Sequence, residues 1–398
     1  MIKIEPKPYK IEGKIQNYDW GTKNDKAFIP KYLNIDTIEN IPYAELWIGV
    51  HPNAPSQINV DENKLSLASL IEKFPTEILG ERVYHKFKTL PFLLKILSIE
   101  KALSIQAHPD KNLAKILHEK DPKNYPDENH KPEIAIAIDH LKALVGLKDP
   151  KGIKQTFLDY PELKILLTTE LINIIEGKNI DEDFVKEIYS QIMNSEYEKL
   201  SKGITEILKR LKNKSELNES EQQFLKQHNN YGIDVGLISI LLFNIINLAE
   251  GEAIFTVAGI PHAYIEGNII ECMANSDNVV RAGLTPKYKD IDTLTKMLVV
   301  NSENSDVEVI EESDRKIYKT NAEEFEIEEI ILSNTFIEKN NEEINIILVL
   351  SGNILIEFGN KNTISYSQGD FILIPAVLKQ YKISKNESAK IYRVRVPK

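Results

Sequence analysis

The chain has 398 residues, of which 42% are hydrophobic, and it carries a formal net charge of -11 with a sequence pI near 5.4. This length and apolar content suit a multidomain globular protein. The acidic balance opposes binding to nucleic acid or to an anionic membrane surface, since both need a basic protein surface, and no apolar run approaches the ~20 residues of a membrane span. We therefore expect a small-molecule substrate, with no nucleic-acid or membrane partner.

Cysteine and histidine usage limits the kinds of metal site. Cys272 is the single cysteine, which excludes an intrachain disulfide and a thiolate zinc site. Any metal must therefore be held by His, carboxylate or amide groups, and the last of the eight histidines is His262. The first five residues do not have the pattern of a secretory signal. We expect a cytoplasmic monomer.

The N-terminal part of the chain, from residue 8 to about 143, alternates short apolar runs with Pro, Gly and Asn, which predicts a β-rich domain. The clearest runs are residues 46–50, 92–97 and 134–138. A short helix is predicted over 112–118, because Pro109 and Asp110 precede it and both residue types favour a first helical turn.

Residues 150–229 are predicted to be a helical insertion. Apolar residues recur there at helical spacing, with Lys and Glu on the other face, at Leu200, Ile204, Ile207, Leu208 and Leu211 and in a similar stripe over 184–193. Packing against the protein core explains such stripes better than partner binding. We expect the insertion to take no part in the chemistry.

The chain beyond residue 230 is predicted to return to the first β-domain and then to form a second one. A helix is predicted through Leu237, Leu241, Ile245 and Leu248, and a strand over 251–257 follows it. Further strands are predicted over 344–350, 354–358 and 371–374, separated by glycine turns at 352, 359 and 369. This spacing suits a small antiparallel barrel or jelly roll. The predicted domains are 1–149 with 230–320, 150–229, and 321–398.

Three separate segments carry side chains suited to a metal ion. Gln106 and His108 are two residues apart before Pro109, which favours extended backbone, so both side chains can converge on one ion. Glu133 opens an apolar run, where a buried carboxylate without a cation would be costly. The alternatives are an edge-strand amide beside a hydrogen-bonded histidine, and an exposed glutamate at the start of a strand. His262 alone would fit an ordinary core histidine.

Four longer blocks resemble the signature blocks of the type I phosphomannose isomerases: residues 90–95 (LPFLLK), 106–111 (QAHPDK), 129–133 (NHKPE) and 275–287 (NSDNVVRAGLTPK). Residues 17–21, 45–49 and 251–253 resemble the family too. The similarity therefore spans residues 8–290 apart from the helical insertion, and it is weak beyond about 320. The resemblance implies a mainly β fold with an α-helical insertion, built from two cupin domains, which are jelly-roll β-barrels, plus the helical domain.

The same resemblance implies a zinc-dependent enzyme that interconverts mannose 6-phosphate and fructose 6-phosphate. It makes the ligands of one Zn²⁺ per chain Gln106, His108, Glu133 and His262, and it places Arg281 in the active centre. Ala282 stands where the family often has glycine, which is a mild departure.

Such an isomerisation needs a base for the proton next to the carbonyl, a group that moves protons between O1 and O2, and a cation that stabilises the enediolate. We rank Lys131 and His130, which border Glu133, above Asp277 and Glu271 as proton carriers. The latter two are alternatively groups that orient neighbouring cations through hydrogen bonds.

Side chains must also hold the phosphate, because the sequence has no glycine-rich phosphate loop. The candidates are Ser104, Lys95, Arg281 and Lys287. Tyr264 and Trp20 are candidates for contact with the sugar, with core packing as the alternative for the tryptophan.

Two other functions fit a site of this composition. A cupin oxygenase would use similar ligands around redox-active iron, although Gln106 and the cation cluster favour zinc and a sugar phosphate. A non-catalytic sugar-phosphate-binding protein with two cupin domains would not need Arg281 and a candidate base, and both are present.

Overall fold

Strands dominate the two ends of the chain and helices dominate its middle. A computed structural model describes residues 2–60, 63–177, 180–300, 305, 307–331, 335–385 and 389–398. The strands before the helical part are β1 Tyr9–Glu12, β2 Lys14–Gln16, β3 Thr22–Lys23, β4 Pro42–Tyr43, β5 Glu45–Ile48, β6 Gln57–Val60, β7 Asn63–Ser66, β8 Phe92–Ile99, β9 Ile105–Ala107 and β10 Glu133–Leu147. Those after it are β11 Phe243–Ala249, β12 Ala253–Thr256, β13 His262–Ala274, β14 Val280–Gly283, β15 Glu308–Glu311, β16 Arg315–Lys319, β17 Glu326–Ile330, β18 Thr335–Glu338, β19 Asn345–Ser351, β20 Asn353–Phe358, β21 Asn362–Ser367, β22 Phe371–Ile374, β23 Tyr381–Lys385 and β24 Lys390–Arg395.

Helices lie both before and within the middle part. They are α1 Phe28–Leu33, α2 Leu67–Lys73, α3 Pro75–Leu79, α4 Glu81–Phe87, α5 Lys111–Lys120, α6 Pro150–Asp159, α7 Thr169–Gly177, α8 Glu182–Met193, α9 Tyr197–Lys212, α10 Glu219–Tyr231, α11 Gly236–Leu242 and α12 Ile291–Met297, with short 3-10 helices at Asn24–Lys26 and Pro161–Leu166. Over the described ranges, every helix is too short or too polar to cross a bilayer.

The sheet that carries the candidate ligands has the strand order β11-β10-β13-β8-β5-β2, with β12 paired to β10, β9 paired to β13, and β14 paired to β9. In the antiparallel ladder of β10 and β13, Glu133 lies opposite Met273 at one end and His262 lies opposite Val145 at the other. A flat ladder would hold Glu133 and His262 roughly 40 Å apart. Their side chains are nevertheless 2.8 Å apart. The sheet therefore curls strongly and brings its ends together.

The helical part confirms the periodicity in the sequence. The predicted stripes over 184–193 and 200–211 are the buried faces of α8 and α9, which share one core with residues of the curled sheet such as Ile105 and Ile265. The helix predicted over 112–118 is α5. It begins after Asp110, whose carboxylate accepts hydrogen bonds from the backbone N–H groups of Asn112 and Leu113.

The predicted helix through Leu237 and Leu248 is wrong in its second half. Helix α11 ends at Leu242, and residues 243–249 form strand β11, which pairs with β10 from Phe243 opposite Leu147 to Ala249 opposite His140. The edge of β10 supplies backbone hydrogen bonds that the helix would forgo, and the isoleucines in this segment suit a pleated surface.

A second large sheet combines strands from both ends of the chain. Its order is β15-β16-β17-β24-β19-β22-β1-β6-β7, and it packs against a smaller sheet, β18-β23-β20-β21. Strand β1 lies between β22 and β6, with Ile11 opposite both Phe371 and Ile58. The strands predicted over 344–350, 354–358 and 371–374 are confirmed as β19, β20 and β22. The fold is thus mainly β with helices, while the domain boundaries at 149, 230 and 320 stay predictions.

Candidate active site

Three buried side chains converge where the curled sheet brings the two ends of the β10–β13 ladder together. His108 follows β9, Glu133 begins β10, and His262 begins β13, and each is 1% exposed. Glu133 Oε1 lies 2.8 Å from His262 Nε2, and Glu133 Oε2 lies 3.3 Å from His108 Nε2. One potential ligand atom from each residue lies within 4.8 Å of the others, which is compatible with a shared metal ion.

The backbone determines which ring nitrogen of each histidine is free. Nδ1 of His108 lies 3.0 Å from the carbonyl oxygen of Asn278, and Nδ1 of His262 lies 3.0 Å from that of Ile260. A carbonyl oxygen can only accept a hydrogen bond, so each Nδ1 carries a proton and donates it. In the neutral rings, both Nε2 lone pairs then face the Glu133 carboxylate.

That arrangement calls for a cation. Burial lowers the pKa of His108 to about 4, so its ring is neutral near pH 7. Its Nε2 is buried and has no hydrogen-bond partner among the described residues. Burial alone would raise the pKa of Glu133, but the charges of Lys131 and, when it is protonated, of His108 lower it. Two imidazoles that present Nε2 to one buried carboxylate therefore fit a divalent metal, and the backbone carbonyls orient the rings as they do in many metal sites.

A cavity of about 490 Å³ lies beside this cluster. The sequence-predicted residues that line it are Trp20, Lys95, Ser104, Gln106, Lys131, Tyr264, Glu271, Arg281 and Lys287. Gln106 lies opposite both His262 and Arg281 in the ladders that β9 forms, so it shares a face of the sheet with them. The Lys131 Nζ lies 3.6 Å from Glu133 Oε2, and the Tyr264 hydroxyl donates to Glu133 Oε1 at 3.3 Å. Burial, with Glu133 nearby, raises the pKa of Tyr264 well above its usual value, so the hydroxyl stays protonated.

Lys95 is held by two carboxylates on one wall of the cavity. Its Nζ lies 2.9 Å from Glu271 Oε2 and 3.5 Å from Glu45 Oε2, and it sits over the Trp47 ring. Burial alone would lower the pKa of Lys95, but Glu271 and Glu45 raise it above its ordinary value, so the ammonium stays charged. Burial raises the pKa of Glu271, and the Lys95 charge opposes that shift.

Arg281 and Lys287 offer positive charge to the cavity. Arg281 is partly buried, which lowers its pKa from the ordinary arginine value, whereas Lys287 is exposed. Within the part of the chain that the structure describes, neither forms an ion pair with a carboxylate. Both are available to an anionic group.

Two of the predicted catalytic and substrate-binding residues do not line this cavity. His130 Nε2 lies 2.8 Å from Glu324 Oε1, and the ring borders a separate cavity of about 280 Å³. Asp277 pairs with His51, whose Nε2 is 3.0 Å from Asp277 Oδ2, and this hydrogen bond lowers the pKa of the aspartate.

Some cavity residues were missed by the sequence analysis. Glu45 lies in the family-like block at 45–49, and that block was a signal for it. Tyr231, the last residue of α10, also lines the cavity. Tyr231 lies just beyond the predicted insertion at 150–229, in the part assigned to the first β-domain, so the expectation that the insertion takes no part in the chemistry stays a prediction.

Comparisons with known proteins agree with this geometry. The family model described as phosphomannose isomerase type I, catalytic domain, matches residues 9–150. Mannose-6-phosphate isomerase from Candida albicans is 40% identical over 75% of this chain and 73% of its own length. A probable mannose-6-phosphate isomerase from Dictyostelium discoideum is 37% identical over 91% and 87%. A zinc-bound crystal structure of mannose 6-phosphate isomerase superposes with a TM-score of 0.89 and 27% identity, covering 98% of this chain and 100% of the other. With relatives this similar over most of both lengths, the chain belongs to the type I phosphomannose isomerase family.

Proposed function

We propose that this protein is a zinc-dependent aldose-ketose isomerase that interconverts mannose 6-phosphate and fructose 6-phosphate through a cis-enediol(ate). The observation that carries the proposal is the pair of buried imidazoles whose Nε2 atoms face Glu133, beside a cavity lined by Arg281 and Lys287, which form no ion pair with a carboxylate of the described residues. The names of the relatives and the zinc-bound structure of one of them support the same activity.

Gln106, His108, Glu133 and His262 would hold one Zn²⁺ per chain. When bound, zinc supplies positive charge that polarises the substrate carbonyl or orders its hydroxyls. Tyr264 and Lys131 orient the Glu133 carboxylate from the cavity side, at 3.3 and 3.6 Å.

Lys131 is the residue that we infer moves the proton between C1 and C2. It lines the cavity and lies next to the metal cluster, whereas His130 is bound to Glu324 and borders another cavity. Asp277 and Glu271 act in this proposal by hydrogen bonding, since each already holds a basic side chain. Arg281 stabilises negative charge that develops on the substrate oxygens.

The substrate is held by the remaining cavity residues. Ser104 and Lys287 are proposed to bind the phosphate, with Arg281 close enough in the same cavity to contribute. Lys95 is less available than the sequence indicated, because Glu271 and Glu45 already neutralise it. In the proposal it fixes those carboxylates for hydrogen bonds to sugar hydroxyls, while Trp20 and Tyr264 contact the sugar face.

We also propose that both β parts are cupin barrels, with the first formed by 1–149 and 230–320 and the second by 321–398, separated by the insertion at 150–229. The strong curl of the first sheet, and the packing of the second large sheet against the smaller one, support two barrels, with β1, β6, β7, β15 and β16 of the first part completing the second large sheet. A monomer in the cytoplasm is the proposed form, which sedimentation of the purified protein and cell fractionation would test.

The decisive experiment is to incubate the purified protein with mannose 6-phosphate in D₂O before and after chelation. We expect fructose 6-phosphate to form, deuterium to enter at C1 or C2, and both to stop on chelation and return with zinc. Turnover that survives full metal removal would refute the zinc assignment. A protein that binds the sugar phosphate without turnover would be a binding protein, and restoration by iron with oxygen consumption would indicate an oxygenase.

A further inference from the structure

The junction that follows the helical insertion, residues 231–236, forms hydrogen bonds with two chain segments that line the cavity of the candidate active site. The Tyr231 hydroxyl, at the end of α10, donates a hydrogen bond to the carbonyl oxygen of Ala102 at 2.6 Å. Three residues later, Asp234 Oδ1 accepts the backbone N–H of Leu284 at 2.6 Å and that of Gly236 at 2.7 Å. One six-residue segment, 231–236, thus holds two chain segments that are distant in sequence.

These two anchors flank the proposed phosphate ligands. Ala102 is two residues before Ser104, and Leu284 is three residues before Lys287, and all four line the cavity. In the ladder of β9 and β14, Ile105 lies opposite Gly283. Ser104 and Leu284 therefore leave the end of this ladder next to each other, and the separation of Ser104 from Lys287 depends on how the two segments are held beyond it.

Backbone packing leaves little freedom at this junction. A Cβ atom added to Gly283 would lie 2.5 Å from the Gly236 Cα, and one added to Gly236 would lie 2.6 Å from the Leu284 nitrogen. Such distances are far shorter than van der Waals contact, so the two backbones already touch. Residue 236 cannot shift without moving the end of β14. The segment that contains Ala102 is also held by strand β13, since the Leu103 N–H donates a hydrogen bond to the Tyr264 carbonyl oxygen.

We propose that residues 231–236 form a clasp that sets the spacing of Ser104 and Lys287 and so determines the affinity of the site for the substrate phosphate. The inference rests on the proposed function for the identity of the substrate. Tyr231 and Asp234 are positioning residues here, because each acts through a backbone atom of another segment. The junction that follows the helical insertion thereby gains a role in selecting phosphorylated sugars.

Tyr231→Phe is the sharpest test because it removes one hydroxyl and keeps the ring. We expect the KM for mannose 6-phosphate and the inhibition constant of inorganic phosphate to rise by the same factor, about 3- to 10-fold, which is the range for losing one hydrogen bond. The kcat should change by less than about twofold. Calorimetric binding of inorganic phosphate, which needs no turnover, should weaken by the same factor.

Matched variants separate positioning from general loosening of the insertion. Tyr189→Phe removes a buried hydroxyl of the insertion that is bonded to Ser239 Oγ at 3.0 Å and lies outside the cavity lining. It should leave the KM and phosphate binding unchanged. Asp234→Ala should weaken phosphate binding as Tyr231→Phe does. Asp234→Asn should restore it, because an amide oxygen still accepts both backbone N–H groups.

Each outcome bears on the clasp separately from the isomerase activity. Unchanged phosphate binding in Tyr231→Phe would overturn the clasp, and so would an equal loss in Tyr189→Phe. A higher KM with unaltered binding of inorganic phosphate would also overturn it, since Tyr231 would then contact the sugar directly. If the wild-type protein does not isomerise mannose 6-phosphate, the proposed function fails, while the phosphate titrations still decide whether the clasp exists. Should Asp234→Ala not fold, Tyr231→Phe decides alone.

Discussion

The His262 imidazole is held at Nδ1 by the Ile260 carbonyl, which leaves its Nε2 facing the Glu133 carboxylate at 2.8 Å. Replacing it with alanine removes one metal donor. We expect His262→Ala to lose bound zinc and isomerase activity together, by more than about 100-fold, which is the upper range for losing only an outer partner of a metal ligand. Metal analysis of the purified variant and the isomerase rate measure the two effects.

His140→Ala is the matched control for that variant. The His140 side chain is 61% exposed and lies beside Asp139, away from the cavity. It should retain zinc and activity. A His262→Ala protein with normal zinc content would remove this residue from the ligand set.

His108 also predicts how the stability of the metal-free protein depends on pH. Its pKa is about 4 in the folded chain, because of burial, and ~6.5 when unfolded. Between these values the unfolded chain binds a proton that the folded chain does not, so the free energy of unfolding falls as the pH falls from 6.5 towards 4. The full effect is on the order of 3 kcal/mol as an upper limit.

Urea unfolding of the chelated protein between about pH 7 and pH 4.5 measures this dependence, the pH limits being set by the two pKa values. His108→Gln should have a shallower loss of stability over the same interval, because glutamine does not titrate. Equal slopes for the two proteins would mean that His108 takes up its proton at the same pH in the folded and the unfolded chain.

At the scale of helices and strands, residue spacing in the sequence predicted those elements whose formation depends on neighbouring residues. The stripes of α8 and α9 and the cap of α5 could be read from spacing and residue type, and so could the strands of the second β part. The α11 helix was extended too far because Ile245 and Leu248 continue its period. Only the distant edge of β10, supplied by residues 140–147, makes that segment a strand.

Some residues of the candidate site could likewise be found from the local sequence, and others could not. His108, Glu133 and Arg281 lie in long motifs, so their residue types and neighbours were informative before any geometry was known. Glu324 and Tyr231 have no such motif. Their contacts with His130 and Ala102 come from long-range folding, which composition and periodicity do not encode.

The long-range pairing of strand β1 predicts how much one of its residues contributes to stability. Ile11 is 2% exposed, pairs with strands on both sides, and belongs to a core shared with the C-terminal strands. Ile11→Ala should lower the free energy of unfolding by about 2 to 5 kcal/mol through lost burial and a residual cavity. Lys10→Ala, on the same strand but facing solvent with an ion pair to Asp370, should cost at most about 1 kcal/mol. Urea titrations of both variants test this, and similar small losses in both would show that β1 is dispensable to the sheet.

At the scale of the whole molecule, the large sheet that contains β1, β6 and β7 joins the two β parts into one cooperative unit. The core that contains Ile11 also contains Leu94 and Ile134 of the curled sheet and Leu348 and Phe371 of the C-terminal part. The His130–Glu324 pair adds a polar link between them. Unfolding either part would expose apolar surface of the other, so we expect a single cooperative transition.

Arg393 tests that coupling from the far side of the molecule. Its guanidinium is fully buried, pairs with Glu328, and contacts Glu338 and the Tyr381 hydroxyl at 3.0 and 2.9 Å. Arg393→Met leaves Glu328 buried without its main cation, which should cost about 3 to 5 kcal/mol.

Both tryptophans, Trp20 and Trp47, lie in the first 50 residues, so their fluorescence reports only the N-terminal part during unfolding, whereas far-UV circular dichroism reports the whole chain. If the molecule unfolds as a unit, Arg393→Met lowers the urea midpoint equally by both probes. Arg395→Met removes a more exposed pair with Glu326 on the same two strands and should shift either midpoint little. A fluorescence midpoint that stays at the wild-type value while the circular dichroism midpoint shifts would mean that the two parts unfold independently. Strand β1, which the N-terminal part contributes to the sheet of the C-terminal part, would then add little to the stability of the active site.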